Sequence, residues 1–404
     1  MTAVTRTLKE GLSPLLWLHW IYGLGIIEFP LNHSRIAITI AYILTVRAFV
    51  FYIYFFTLLK TASVRLQNFE KCSSFALVGI NLIAAFIDTV LGLYKSQELK
   101  NVLARCELVD ETLGRFNVEK HYAEVKKRSK RWLIAWLFFV LLFIALKTHQ
   151  LQQDLTILDA FIRTLILSQP IQVHSAVDVT FLALLEYVKS RFISINYVIE
   201  ETFEKESMNT ESIRKCEGKC RKIFVARKNV FKYRAEHVIQ TVRQLHLELR
   251  RITRKINAIF HMQILLQLAC YFCQVLTALF QLYFLSGMSK SHARNSISLA
   301  WMVIWLSVYC LKLLGMNHLC GAVAFESREI NRIIQEIKHS SYNTDVKEEI
   351  QQFCLQILLC PLNLTASGWF ELNNNLTGSF FDKAATYLVM LLQVTNSSNM
   401  LHHI

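Results

Sequence analysis

The feature that most limits what this chain can become is a recurrence of long apolar runs. Polar connections separate them, and these alternate between strongly basic and nearly charge-free. A helix needs about 20 mostly apolar residues to cross a hydrocarbon core. Seven segments answer to that description: Ile36–Leu59, Phe75–Tyr94, Trp132–Leu146 with its flanks, Ile171–Tyr197, Ile259–Leu285, Ile297–Leu314 and Leu376–Val394. Hydrocarbon offers no water to backbone N–H and C=O groups, so each run must satisfy its own as a helix. The expected fold class is all-α, a seven-transmembrane helical bundle. LLWLHWIYGLGIIEF, near the N-terminus, is too short for an eighth span, holds His19 and Glu28, and ends at Pro30. It lacks a small-residue cleavage site and reads as an interfacial or half-inserted helix rather than a signal peptide.

Composition agrees. Apolar residues make up 53% of the chain and charged ones only 18%, more apolar surface than a soluble domain can hide. The ten cysteines are scattered, several inside apolar runs (Cys270, Cys273, Cys310), which argues against a disulfide framework. Cys216 and Cys220 stand four apart among lysines with no second ligand pair, so reduced thiols are expected rather than a metal site.

Orientation follows from the lysines and arginines. The connection from Lys95 to Arg131 carries ten and that from Lys189 to Lys255 seventeen. Connections after the first, third and fifth runs carry three, two and two, and the C-terminal tail none. Basic loops stay on the cytoplasmic side, which places the N-terminus inside and the C-terminus outside, the reverse of a G-protein-coupled receptor. The same distribution accounts for the net charge of +14 and excludes nucleic acid as the expected partner.

Two cytoplasmic segments read as helical extensions. From Asn229 to Asn257, Val230, Val238, Leu245, Leu249, Ile252 and Ile256 recur at roughly helical spacing and run into the fifth span without a breaker. CGAVAFESREINRIIQEI continues the sixth span in the same way. The expected organisation is therefore a cytoplasmic N-terminal segment (1–35), spans one to four (36–197) with a basic loop (95–131), and a cytoplasmic loop with helical extension (198–257). Spans five and six (258–317), a second cytoplasmic extension (318–372), a last helix (373–394) and an outer tail (395–404) complete it.

The last fifty residues carry a family resemblance. Thr386-Tyr387, five apolar residues and Gln393 follow Leu364-Thr365-Ala366-Ser367-Gly368-Trp369-Phe370-Glu371-Leu372. Together with CGAVAFE at Cys320–Glu326, they resemble the C-terminal region of insect gustatory receptors, related to insect odorant receptors. The resemblance implies a homo- or heterotetrameric ligand-gated cation channel in the membrane of chemosensory neurons, gated by a small-molecule tastant. Four copies of the last helix would line a pore for permeating cations, with the cytoplasmic extensions as an inter-subunit anchor and no cofactor. Lys347 to Trp369 would be the first half of a split seventh helix and LNNNLTG the break before the pore half. Gly368 and Tyr387 are the motif residues expected to pack. Val394 stands where the family has Phe.

At 3.6 residues per turn, Thr386, Met390, Gln393 and Ser397 fall near one face of the last helix. Facing a pore, they would line it with neutral polar groups and a thioether, Gln393 and Val394 forming the gate. Alternatively Thr386 and Gln393 make interhelical hydrogen bonds away from it. Candidate ligand-pocket residues in the outer half are Asn81, His174, Asp178, Gln281, Tyr283, Trp301 and Trp305. His174 and Asp178, spaced i, i+4, would form a joint polar edge, or else a structural pair. Trp301 and Trp305, spaced likewise, would form a stacking platform or an interfacial belt. Asp88 and Arg47 are a candidate buried ion pair. An odorant-receptor-type subunit and a secondary transporter are the competing readings. The spans show no paired halves or midplane breaks, and no HExxH-type pattern points to an enzyme.

Overall fold

The computed structural model describes residues 7–26, 35–62, 69–120, 122–152, 156–214, 221–287, 292–338 and 344–401. Cys216 and Cys220, singled out above, lie outside them. In chain order the helices are α1 (Leu8–Ile21), α2 (Ile36–Ala62), α3 (Phe69–Gly114), α4 (Tyr122–Leu151), α5 (Ile157–Leu167), α6 (Gln169–Arg214), α7 (Arg221–Gly287), α8 (His292–Lys338), α9 (Thr344–Leu359) and α10 (Asn374–Leu401). A short hairpin, β1 (Thr365–Ala366) and β2 (Phe370–Glu371), separates α9 from α10.

Among the described residues, six helices are long and apolar enough to cross a membrane: α2, α3, α4, α6, α7 and α8. They correspond to the first six runs. α10 is absent from that set, because Asn, Thr, Ser and Asp residues dilute its apolar stretch. Burial sorts the six. The most apolar stretch of α6 is 78% buried, whereas those of α2 and α4 are 22% and 17% buried. α6 is thus the central post, touching α1, α3, α4, α5, α7 and α8, and α2 and α4 leave most of their side chains outward.

The fifth run and the segment before it are one helix: α7 has 67 residues without a break. Val238, Leu245, Leu249, Ile252 and Ile256 are all buried; the Val230 side chain lies outside the description. They meet Val323, Ile330 and Ile334 of α8 and Ile350, Phe353 and Ile357 of α9 in one apolar core. Salt bridges flank that core, Arg243–Glu349 at 3.2 Å and Arg105–Glu248 at 3.2 Å. The partly exposed pairs fix register more than they stabilise.

The N-terminal helix packs on its neighbours along one side and leaves Trp17 and Ile21 exposed on another. It begins at Leu8, and Leu8, Leu12, Leu15, Leu18 and His19 form one buried stripe against α4, α6 and α3. Thr7 caps it, its Oγ1 accepting from the Glu10 N–H at 3.2 Å, and Glu107 of α3 accepts from the Leu8 N–H at 2.9 Å. Such a helix is packed into the bundle. The chain then crosses α3 so closely that a Cβ on Gly92 would sit 2.5 Å from the Leu24 carbonyl oxygen, so only glycine fits there. α5, which the sequence did not announce, is an amphipathic helix capped by Thr156 before α6 starts at Gln169-Pro170.

The largest correction concerns 360–378. The seventh helix is split, but its first half ends at Leu359, not Trp369. The family-like stretch LTASGWFEL is a β-hairpin, with Thr365 opposite Glu371 and Ala366 opposite Phe370, so among the described residues the fold is helical with one two-stranded exception. Ser367 (φ 54°) and Gly368 (φ 77°) make the tight turn of a three-residue loop, 367–369, in which the Trp369 N–H donates to the Ala366 carbonyl at 3.1 Å. Gly368 is exposed and a Cβ there would touch nothing, so its role is conformational, not packing. LNNNLTG is not the break: α10 starts within it, with Asn373 Oδ1 accepting from the Leu376 N–H at 3.1 Å as an N-cap.

Candidate functional site

Polar residues buried inside an otherwise apolar bundle are costly and must be partnered. Here they form two layers joining four helices. In the first, His174 Nδ1 lies 2.8 Å from Asp88 Oδ2, linking α6 to α3. From α7, Gln263 donates to the Asp88 carbonyl at 2.9 Å and Gln267 to its carboxylate at 3.4 Å. One turn along α6, the second layer has Asp178 accepting from the Tyr271 hydroxyl at 2.6 Å and from Lys312 Nζ at 3.1 Å. Lys312 also donates to Ser175 at 2.7 Å and lies 5.6 Å from the centre of the Tyr271 ring. Every side chain in both layers is buried or nearly so.

This changes the expected roles of His174 and Asp178. Both project from one side of α6 but do not share an edge: His174 serves Asp88 and Asp178 serves Tyr271 and Lys312. Arg47 does not bond Asp88. Its guanidinium donates to Gln169 at 2.6 Å and to Thr89, fastening α2 to α5–α6 and α3. Glu186 pairs with Arg128 at 3.0 Å. Asn81 is buried and its amide donates to the Leu77 carbonyl of its own helix at 2.7 Å.

An aromatic wall adjoins the second layer. Trp305 stacks on Tyr309 (centroids 5.3 Å, interplanar 21°) and meets Phe143 of α4 edge-on at 4.8 Å. Tyr309 in turn leans on Tyr271 at 5.3 Å. Trp305 thus packs with Tyr309 and Phe143, and through Tyr309 with Tyr271; the Trp301 side chain lies outside the described residues. Gln281 and Tyr283 sit at the far end of α7, half-buried and exposed. Tyr271, Tyr309, Ser175 and Lys312 were not singled out beforehand as lining groups. Lys312 alone carried a signal, as a charge within an apolar run.

The wall reaches the last helix. Tyr271, Val275 and Tyr309 share a cluster with Ala384 of α10, and Phe380 packs against it. Phe272 of α7 holds α10 by two edge-on contacts, Phe380 at 5.4 Å and Tyr387 at 5.8 Å. Nearer the start of α10, Asn317 of α8 donates to Thr377 Oγ1 at 2.8 Å, both buried. Away from these contacts, Thr386, Met390 and Gln393 share a side of α10 that is exposed in the single chain, and Val394, two turns beyond Tyr387, is exposed as well. The Thr386 hydroxyl donates to its own helix at Asp382, and the Ser397 side chain lies outside the description.

Known proteins resemble this chain in sequence and in fold. A family described as 7tm Chemosensory receptor matches residues 12–395. Among Drosophila melanogaster proteins, the gustatory receptor for sugar taste 43a is 31% identical over 125 residues, 31% of this chain and 28% of that receptor. The gustatory and pheromone receptor 32a is 25% identical over 150 residues, 37% of this chain and 32% of that one. The matched segments span about a third of either relative or less. The structure of the insect olfactory receptor OR5 from Machilis hrabei superposes with a TM-score of 0.59 at 15% identity, covering 96% of this chain and 98% of that one. Its complex with eugenol gives 0.57 at 14% identity, with the same coverage. Those likenesses are of fold, while the family match runs through almost the whole chain: it belongs to the seven-transmembrane chemosensory receptor family.

Proposed function

We propose that this chain is a gustatory receptor subunit of a tetrameric, tastant-gated, non-selective cation channel. Its N-terminus faces the cytoplasm, and α10 lines the central pore. The single observation that carries this reading is the division of α10 into two sides. One side, Ala384, Phe380 and Tyr387, packs on α7 and α8 of its own chain. The other, centred on Thr386, Met390 and Gln393, is exposed in the single chain, and it offers a hydroxyl, a thioether and an amide without a charge, with the exposed Val394 at its edge two turns beyond Tyr387. Three symmetry mates would cover that side and leave a water path between the copies.

The ligand would act on the aromatic wall of Trp305 and Tyr309 and on the Asp178–Tyr271–Lys312 layer beneath it. Stacking surfaces beside a charged hydrogen-bonding group are what a small polar tastant requires. Occupancy that moves Tyr271 would move its cluster with Ala384, and through it α10. The gate formed by Gln393 and Val394 would open by separating apolar side chains that otherwise keep water out. The related Drosophila receptor named for sugar taste makes sugars the first compounds to try. The chain expressed alone in a cell without native receptors, with currents recorded against sugars and bitter compounds, tests the proposal. Tastant-evoked cation currents are expected. Substrate-coupled uptake without channel currents would overturn it in favour of a transporter.

A further inference from the structure

An open groove of about 590 Å³ lies where α10 begins, between α6, α8 and the residues just before the pore helix. Lys189 of α6 and His318 and Arg328 of α8 line it, with Asn374 and Asn375 at the start of α10. Against these cationic and amide groups stands one carboxylate, Glu326. The charges are unspent. Among the described residues Lys189 has no ion-pair or hydrogen-bond partner, and Arg328 donates only its Nε, to the Ala324 carbonyl at 3.1 Å. Half-buried, unpaired lysine beside an arginine is an arrangement suited to an anion.

The shape says which kind. His318 and Phe325 are seven residues apart on α8, and the same face continues backward through Leu314 and Leu311, spaced four and seven from His318. Leu314 is 48% and Leu311 68% exposed, and Phe325 is 57% exposed. A polar, cationic groove therefore opens onto an uncovered apolar stripe running up the membrane part of α8. A free anion has no use for the stripe, and an apolar ligand has none for the lysine. An amphiphile with a negatively charged head uses both.

We infer that this groove binds an acidic phospholipid, its phosphate between Lys189 and Arg328 and an acyl chain along Leu314 and Leu311. The lipid's head would then sit against the first turn of α10, close to the Asn317–Thr377 bond that ties α8 to that helix, and occupancy would bias the pore helix. Assigning the lipid to the cytoplasmic leaflet rests on the orientation proposed above; binding itself does not.

The test uses the purified full chain in detergent, titrated with dioctanoyl phosphatidic acid and followed by native mass spectrometry. Dioctanoyl phosphatidylcholine and inorganic phosphate serve as comparisons. Phosphatidic acid is expected to be retained in preference to phosphatidylcholine, with retention falling about fivefold for Lys189→Gln or Arg328→Gln and further for the pair. Leu314→Glu, at an exposed position, is expected to reduce retention while the melting temperature is kept. Equal retention of the two lipids, or retention unchanged in the double variant and in Leu314→Glu, overturns the inference. Displacement of the lipid by equimolar phosphate would assign the site to a free anion instead. Crosslinking of Gly321→Cys to a second copy in native membranes would make the groove a subunit interface. The detergent measurement does not depend on orientation or on currents, so its failure and that of the channel reading are separate results.

Discussion

The Tyr271 hydroxyl donates a 2.6 Å hydrogen bond to Asp178, and the same tyrosine packs in a cluster with Ala384 of α10. One side chain thus touches both the polar layer inside the bundle and the helix proposed to line the pore. Tyr271→Phe removes the bond and keeps the packing. The expected outcome is a shifted agonist concentration dependence with normal surface expression. Tyr271→Ala, which also removes the packing, is expected to reduce the maximal current. Dose–response recordings of the two variants separate the effects, and identical behaviour would deny Tyr271 a coupling role.

Asp178 and Lys312 form a partly buried ion pair. Removing one partner strands the other charge, so Asp178→Leu or Lys312→Met alone is expected to cost about 2–4 kcal/mol. The double variant should recover much of that loss, because two apolar side chains leave no stranded charge. Thermal unfolding of the three purified variants checks this; additive losses would mean that the two charges are satisfied independently.

The gate prediction concerns the exposed end of α10. Val394→Phe places a larger apolar ring beside Gln393 and is expected to lower resting current or raise the agonist concentration needed to open. Gln393→Ala removes the amide and is expected to change the relative permeability of small cations. Whole-cell currents in ion-substituted solutions measure both. Unchanged currents in both variants would move the gate elsewhere.

Gly92 approaches the Leu24 carbonyl too closely for any side chain. Gly92→Ala must push the chain after α1 away from α3 and is expected to destabilise by about 1–3 kcal/mol. Reduced surface expression and a lower melting temperature are the readouts, with Gly315→Ala, whose added methyl meets nothing within 4 Å, as the control that should leave both unchanged.

The hairpin between α9 and α10 carries a strained position that substitution can relieve. Ser367 has φ 54°, a region costing a non-glycine residue about 1 kcal/mol. Ser367→Gly is therefore expected to be neutral or stabilising, and Gly368→Ala destabilising by roughly 1 kcal/mol. Thermal melts of the two variants should move in opposite directions or one not at all.

Helical runs and their order were readable because apolar length is a property of contiguous residues. The six hydropathic helices, the unbroken α7 and its buried positions from Val238 to Ile256 follow from spacing and composition alone. The hairpin was not read, because two strands of two residues have no periodicity to detect. Its turn could have been found only from Ser367-Gly368, a dipeptide that also occurs in loops. Nor does spacing reveal partners. His174 and Asp178 are four apart on one helix, yet Asp88 and Lys312, from two different helices, separate their roles. Trp305 found Tyr309 and Phe143 for the same reason: packing angles between helices decide which faces meet, and those angles are set by every side chain along the contact. By itself the sequence determined that this chain is a bundle of membrane-length helices with basic extensions and a last apolar helix that carries a few neutral polar groups. Tertiary structure alone decided which buried charges are paired, that Tyr271 joins them to α10, and which side of α10 is left uncovered.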